Sequence, residues 1–258
     1  MKKLHKRKST IYTLLTFIFA IIFWYISSLK SLPLFVPNPL NVLKNLIELT
    51  KNKYIFIHLW YTFRRILIAT CISGLTSLPI GLLVYNSKIA KATISPLINL
   101  FRYVPVTAFY PLLILWAGIG EKMKIIFYFI ATFVYMMPSV VLSLEEINQD
   151  LIDTGYTVGM SKLQTITMIQ LPSVLPSILN SFIMMFGIGW TYCTVVESIN
   201  ARWGLGYLIQ QSSSRSRTDL VFMAIIVIMI ISFIFDNVAK WLIKKIFKWK
   251  YTTERCDD

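Results

Sequence analysis

The first candidates for chemistry are polar side chains that interrupt or border long apolar runs. Arg102 is the one charged residue between residues 96 and 117, and Glu197 directly follows the uncharged run 173–196, which contains Trp190. An ionised side chain at the centre of a bilayer costs at least about 2.5 kcal/mol, so such residues are functional candidates if the run crosses a membrane. Arg102, Trp190 and Glu197 are therefore candidates for lining a polar pathway.

Both charges also have structural explanations. Arg102 lies near the expected cytoplasmic end of its run, so its long side chain can reach the membrane surface. Glu197 can end its helix and pair with Arg202. The residues alone leave these alternatives open.

Enzymatic sites are not predicted anywhere in the sequence. It contains no G-x-x-x-x-G-K-[ST] phosphate loop, no H-E-x-x-H and no G-x-S-x-G. The three cysteines and two histidines are scattered without metal-ligand spacing. We therefore predict no catalytic residue, no metal site and no cofactor on this chain.

The composition places these residues in a membrane protein. Of 258 residues, 56% are hydrophobic and 15% are charged, against about 25% charged in ordinary soluble domains. Since about 20 apolar helical residues cross a bilayer, the sequence predicts an all-α, polytopic protein with one transmembrane domain over residues 10–243. The six predicted spans lie near residues 10–29, 66–85, 96–117, 125–144, 173–196 and 220–243.

Basic residues at both ends predict the orientation. The net charge is +14, with five basic residues in the segment 1–9 and six between Lys240 and Arg255. Such clusters flanking apolar runs favour a cytoplasmic membrane surface over nucleic acid as the partner. The basic N-terminal segment 1–9 and C-terminal segment 244–258 are both expected in the cytoplasm, with the lipid bilayer as partner and no nucleic acid.

The third predicted span is irregular. Pro96, Pro105 and Pro111 interrupt it, and a proline inside a helix removes a backbone donor and bends or breaks the helix. Freed backbone groups at membrane depth need protein or water partners. This span is therefore expected inside the bundle or beside a wet cavity.

The segment 145–172 between the fourth and fifth predicted spans has a regular residue pattern that a simple connecting loop does not need. Apolar residues recur along it, Gly159 can adopt the left-handed conformation that ends a helix, and Ser161 can cap the next one. The pattern predicts a helix, a tight turn and a short helix on the cytoplasmic face.

Residues Asp153 to Pro172 resemble the EAA loop of permease subunits of bacterial binding-protein-dependent ABC importers, whose pattern is E-A-A-x3-G-x9-I-x-L-P. Asp153, Thr154 and Gly155 stand in place of Glu-Ala-Ala, with lower helix propensity. The remaining positions of the pattern are matched by Gly159, Ile169, Leu171 and Pro172.

Further stretches are similar to the nitrate, sulfonate and taurine branch of that family. They are RYVP (102–105), PLLILWAGIGE (111–121) and ESINARWGLGYLI (197–209). The resemblance covers roughly residues 10 to 250. It implies the type I importer permease fold in a bacterial cell membrane and a small solute such as nitrate, a sulfonate, taurine or a vitamin precursor.

The resemblance also implies partners and roles. Such an importer contains a second permease subunit, expected here to form a homodimer. It also contains two ABC ATPase subunits that hold ATP and Mg²⁺, and an extracytoplasmic solute-binding protein. The residues implied in coupling to the ATPase are Asp153, Thr154, Gly155, Gly159, Ile169, Leu171 and Pro172. The alternative is a polytopic membrane anchor or assembly protein without transport activity, which has no need of the patterned loop.

Overall fold

A computed structural model of the chain describes residues 2–253, with side chains from residue 12 to residue 250. Every regular element in this range is helical, which confirms the predicted all-α class. Of the predicted basic tails, Met1, the side chains of residues 2–9 and 251–253, and residues 254–258 lie outside the described part. The helices are α1 (Lys2–Lys30), α2 (Pro39–Lys51), α3 (Tyr54–Asn86), α4 (Lys88–Phe101), α5 (Tyr110–Ala117), α6 (Glu121–Glu145), α7 (Gln149–Thr157), α8 (Lys162–Thr165), α9 (Leu171–Thr191), α10 (Cys193–Glu197), α11 (Leu205–Ser214), α12 (Thr218–Ile246) and α13 (Lys248–Thr253).

Long apolar helices account for the predicted membrane spans. Five stretches within the described residues are long and apolar enough to cross a bilayer: Tyr12–Lys30, Tyr54–Asn86, Glu121–Glu145, Lys162–Thr191 and Thr218–Ile246. A sixth crossing is obtained if the bent pair Lys88–Phe101 and Val106–Ala117 is counted as one span.

The bent third span starts earlier than the sequence predicts. Its first helix begins at Lys88 rather than at Pro96, because Ser87 caps the helix by accepting a hydrogen bond from the Ala90 amide. The two halves meet at 88°, and the chain between Arg102 and Pro105 is not helical. Pro105 precedes the short 3-10 turn Val106–Phe109 that leads into α5. Proline chemistry thus explains the break.

Two further helix ends differ from the predicted spans. Helix α3 begins at Tyr54 rather than at Ile66, because its first turns include Arg64 and Arg65, which a search for uncharged runs excludes. Helix α9 ends at Thr191, so the predicted run 173–196 includes a break at Tyr192 and the short helix α10.

Close contacts between α3, α6 and α9 build the centre of the bundle. A Cβ atom on Gly81 of α3 would lie 2.6 Å from Val140 Cγ1 of α6, and one on Gly189 of α9 would collide with Ile66 of α3. These glycines let the helices approach closely, as small residues do between membrane helices. Gly187, two positions before Gly189, is exposed and a Cβ there would meet nothing.

Polar contacts help to attach helix α2 to the bundle. Asn38 caps it by accepting a hydrogen bond from the Leu40 amide. The Asn45 side chain donates to Asp219 of α12 at 2.8 Å, and Arg217 donates to both oxygens of the same carboxylate. Hydrogen bonding to Asp219 raises the pKa of the Arg217 guanidinium.

Candidate functional site

Helix α7 ends in a tight turn at Gly159. This glycine has φ +81°, in the left-handed region that favours glycine, which confirms the predicted conformation. The Met160 amide donates to the Gly155 carbonyl at 3.0 Å, and the Gly159 amide donates to Tyr156 at 3.0 Å. These bonds satisfy carbonyls that a helix end otherwise leaves free, in the manner of a Schellman motif.

The next helix, α8, begins with a reciprocal cap. The Gln164 amide donates to Ser161 Oγ at 3.4 Å, and the Ser161 amide donates to Gln164 Oε1 at 2.8 Å. This is a capping box, and it confirms Ser161 as the predicted cap. A π-helical turn, Ile166–Gln170, then joins α8 to α9. The segment 149–172 is therefore a helix, a turn and a short helix continuous with a long span.

The inner side of this segment is closely packed. Gly155 is buried, and a Cβ atom there would lie 2.6 Å from Ile169 Cδ1. An alanine at position 155 would require the Ile169 side chain to shift. This contact explains glycine at position 155 in place of the usual alanine. Gly155 and Ile169, two of the predicted coupling residues, therefore lie in contact.

The outer side of the segment presents apolar and acidic side chains. Leu163 is 71% exposed and Val158 is 69% exposed. The other large apolar residues exposed on this segment are Leu151, Tyr156 and Met168. Asp153 and Thr154 are exposed on α7, Pro172 is exposed at the start of α9, and Leu171 is half-buried beside it.

A buried ion-pair cluster joins three helices at the other end of the bundle. The Arg65 side chain is 1% exposed and that of Glu197 is 0% exposed, with Arg65 Nη1 2.6 Å from Glu197 Oε1. Arg65 Nε also donates to Glu121 at 2.7 Å, and the buried Lys124 ammonium lies 3.6 Å from Glu121. Arg64 lies 3.7 Å from Glu121 as well, so three bases surround two acids, and the fully buried Glu197 carboxylate is paired, as a buried charge requires.

A backbone turn closes over the Glu197 carboxylate. Thr62 Oγ1 and the Gly206 amide each donate to it at 2.9 Å. Gly204 has φ +144°, and a Cβ atom on Gly204 would collide with the carboxylate, while one on Gly206 would collide with the Cys193 carbonyl. Any residue larger than glycine at position 204 or 206 would clash. The Gly-Leu-Gly sequence at 204–206 therefore allows this turn to lie against Glu197.

These contacts correct the expected partner of Glu197. Arg202 is exposed, and the guanidinium that pairs with Glu197 is that of Arg65. The sequence does not single out Arg65, Glu121 and Lys124, because charges at the ends of apolar runs resemble ordinary flanking residues. The adjacent pair Arg64 and Arg65 before an uncharged run was the available signal.

The three pathway candidates are not brought together. Trp190 is buried against Phe186, and its Nε1 finds no acceptor among the described residues. Glu197 is enclosed by the cluster above. Arg102 caps α4 and lines an open pocket of about 350 Å³ between α4 and α6. Within residues 2–253, no group of three or more His, Cys, Asp or Glu side chains is placed to hold a metal ion.

Comparison with known proteins identifies the family. Residues 74–248 match the family described as binding-protein-dependent transport system inner membrane component. The chain belongs to this family. The match includes the segment 149–172 and the residues 197–209 that resembled it in sequence.

Relatives of this permease include named transport proteins. It is 30% identical over 234 residues to the taurine transport system permease protein TauC of Escherichia coli K12, covering 88% of this chain and 85% of TauC. It is 27% identical over 219 residues to the putative aliphatic sulfonates transport permease protein SsuC of Bacillus subtilis 168, covering 85% of this chain and 79% of SsuC.

Solved structures agree with this fold. A chain of the MetNI methionine ABC transporter, in an inward-facing conformation, aligns with a TM-score of 0.65 at 20% identity, covering 73% of this permease and 94% of that chain. A chain of an amino acid ABC transporter aligns with a TM-score of 0.60 at 18% identity, covering 78% and 97%. The permease therefore has the type I ABC importer fold. The family and the long apolar helices make it a multi-pass membrane protein, and the matched family and relatives are transport components, not enzymes.

Proposed function

We propose that this chain forms the solute path of an ABC importer for small sulfonates and is driven by separate ATPase subunits that hold ATP and Mg²⁺. The family supports the importer, and the names of TauC and SsuC support the solute class. An extracytoplasmic binding protein delivers the solute, and two copies of this chain form the path across a bacterial cell membrane.

The observation that carries the coupling role is the exposed apolar surface on segment 149–172. Val158 precedes the apolar stretch Lys162–Thr191 and Leu163 is its second residue, and exposed leucine and valine at the end of a span are costly unless a partner covers them. Leu163 and Val158 lie on either side of a turn fixed by Gly159 and the Ser161 cap. A rigid element of this kind can dock in a groove of the ATPase and transmit its closure to α9.

Asp153 is the charged contact in this proposal. Its carboxylate is exposed, and the contact found for it is a long one of 3.5 Å from Gln149 Nε2. It can accept hydrogen bonds from basic or backbone groups of the ATPase. Thr154 and Gly155 shape the same helix turn, and Ile169, Leu171 and Pro172 join it to the span.

The proposed orientation follows from this assignment. Segment 145–172 faces the cytoplasm, as do the basic ends 1–9 and 244–258. The ion-pair cluster of Arg65, Glu121 and Glu197 then lies toward the outer surface.

Uptake of a sulfonate tests the proposed function. The chain is reconstituted in liposomes with an ATPase and a binding protein from the same organism, and labelled taurine and ethanesulfonate are supplied with ATP inside or outside. ATP-dependent accumulation of either solute is expected. Stable assembly with no uptake of any small solute would favour the membrane anchor instead.

A further inference from the structure

A polar stripe on α4 lines the pocket between α4 and α6. Ser95, Asn99 and Arg102 are spaced by four and three residues, so they lie on one helix face. All three line the pocket of about 350 Å³, together with Lys91 one turn earlier. Ligand pockets of about 300 to 1,000 Å³ hold small molecules, so the volume suits a small organic solute.

The donors of this stripe are unused. Within the described residues, the side chains of Ser95, Asn99 and Arg102 make no hydrogen bond or ion pair, whereas Lys91 Nζ lies 2.6 Å from Glu145 Oε1. The Lys91 and Glu145 charges cancel, which leaves one positive charge, on Arg102. The pocket therefore offers a free guanidinium, an amide and a hydroxyl on one wall.

Arg102 lies at the C-terminal end of α4, next to the break in the bent third span. It follows Lys88, at the start of α4, by fourteen residues, which is about 21 Å of helix. The backbone from Arg102 to Pro105 is not helical. Irregular backbone at membrane depth must be covered by protein or line a water-filled cavity. If the bent pair crosses the membrane as one span, the backbone from Arg102 to Pro105 therefore needs protein or water around it.

We propose that this pocket is a binding site for the sulfonate group of the transported solute, with Arg102 as its principal ligand. A guanidinium presents paired donors that match two oxygens of an oxyanion. Asn99 and Ser95 are placed to donate to the third oxygen or to bound water. This inference rests on the proposed function, because it names where a sulfonate would bind on its way through the chain.

The other walls support an anion over a cation. Met137, Val141 and Leu142 of α6 supply apolar surface for a short methylene chain. The acid in the lining is Glu145, which is paired with Lys91, and Lys91 lies eleven residues, or about 16 Å of helix, from Arg102. An ammonium group thus has no free carboxylate near Arg102. The site selects the anionic end of its solute.

Direct binding to the full chain in lipid nanodiscs tests this site. The probes are ethanesulfonate, taurine and, as a cation of similar size, ethylammonium, measured by calorimetric titration. We expect both sulfonates to bind and ethylammonium not to bind. Arg102→Gln should weaken sulfonate binding at least about tenfold. Arg102→Lys and Asn99→Ala should each weaken it severalfold. Arg202→Gln, which removes the same charge from an exposed position, should weaken it less than twofold.

The outcomes separate this site from the proposed function. If the wild-type chain binds no sulfonate, or if Arg102→Gln and Arg202→Gln bind equally well, the site assignment is overturned, whatever the uptake assay shows. If sulfonate binding depends on Arg102 but the reconstituted importer accumulates none, the site stands and the proposed function fails. Should Arg102→Gln not be recoverable, the Asn99→Ala and Arg102→Lys variants decide the question.

Discussion

At the residue scale, the contacts of Arg65 show how this protein keeps charges in an apolar bundle. Its guanidinium donates to Glu197, Glu121 and the Trp203 carbonyl. Buried ion pairs cost desolvation energy and add little net stability, but loss of one partner leaves the other charge unpaired. We therefore expect the cluster to be sensitive to single substitutions, most of all at Arg65.

Substitution of Arg65 by methionine should be strongly destabilising. Removal of one partner of a buried pair costs about 3 to 5 kcal/mol, because Glu197 would stay buried without its cation. The neighbouring Arg64, whose side chain is 43% exposed and lies 3.7 Å from Glu121, should lose about 1 kcal/mol or less on the same change. Thermal unfolding of the purified variants in detergent measures both. Equal unfolding temperatures for Arg65→Met and Arg64→Met would show that the buried pair is not needed.

A second prediction concerns Asp153 as the exposed acid of the coupling segment. Charge-assisted hydrogen bonds contribute about 1.5 to 3 kcal/mol, enough to shift docking about tenfold or more. Asp153→Ala should therefore reduce co-purification of the ATPase and uncouple ATP hydrolysis from uptake. Asp150→Ala, three residues earlier and also exposed, should do neither. Identical behaviour of the two variants would remove the role given to Asp153.

At the element scale, turns and caps formed by neighbouring residues could be predicted from the sequence. Contacts between residues far apart in the chain could not. Gly159 and Ser161 define their turn through bonds within a few residues, so their types alone predict it. Arg65 and Glu197 are 132 positions apart, and nothing local indicates that they meet. Prolines likewise predicted a break in the third span, but the 88° bend depends on how α4 and α5 pack against α6.

A prediction at this scale is that the turn at Gly159 matters for coupling and not for insertion. A Cβ atom at Gly159 would meet nothing within 4 Å, so the strain of a substitution comes from the backbone at φ +81°. A non-glycine residue in the left-handed region costs about 1 to 2 kcal/mol. Gly159→Val should leave the amount of protein in the membrane unchanged but weaken ATPase association and uptake. Gly120→Val, at an equally open position without positive φ, is the control, and normal uptake by Gly159→Val would count against the coupling role.

At the scale of the whole molecule, composition and apolar runs predicted the class of protein correctly. The family match and the type I fold confirm that class. The pairs of helices that pack together could not be predicted. Small residues such as Gly81 and Gly189 permit close packing but do not specify which helix packs against them.

The topology prediction is an even number of crossings with both ends in the cytoplasm. Five straight spans and one bent span return the chain to its starting side if the bent pair crosses as one. Reporter fusions that are active on one side of the membrane, placed at residue 1 and after residue 258, measure the two ends. Ends on opposite faces would show that α4 and α5 form a re-entrant loop.

Photo-cross-linking from the coupling segment tests the central claim most directly, because that claim is that segment 149–172 docks on a separate ATPase. A photoreactive residue is placed at Leu163, and as a control at Trp116 of α5, which is also exposed at 71%. The chain is assembled with its ATPase in nanodiscs and irradiated with and without ATP. We predict a cross-link to the ATPase from position 163, altered by ATP, and none from position 116. Absence of a cross-link from Leu163 in an assembled complex, or equal cross-links from both positions, would contradict the account.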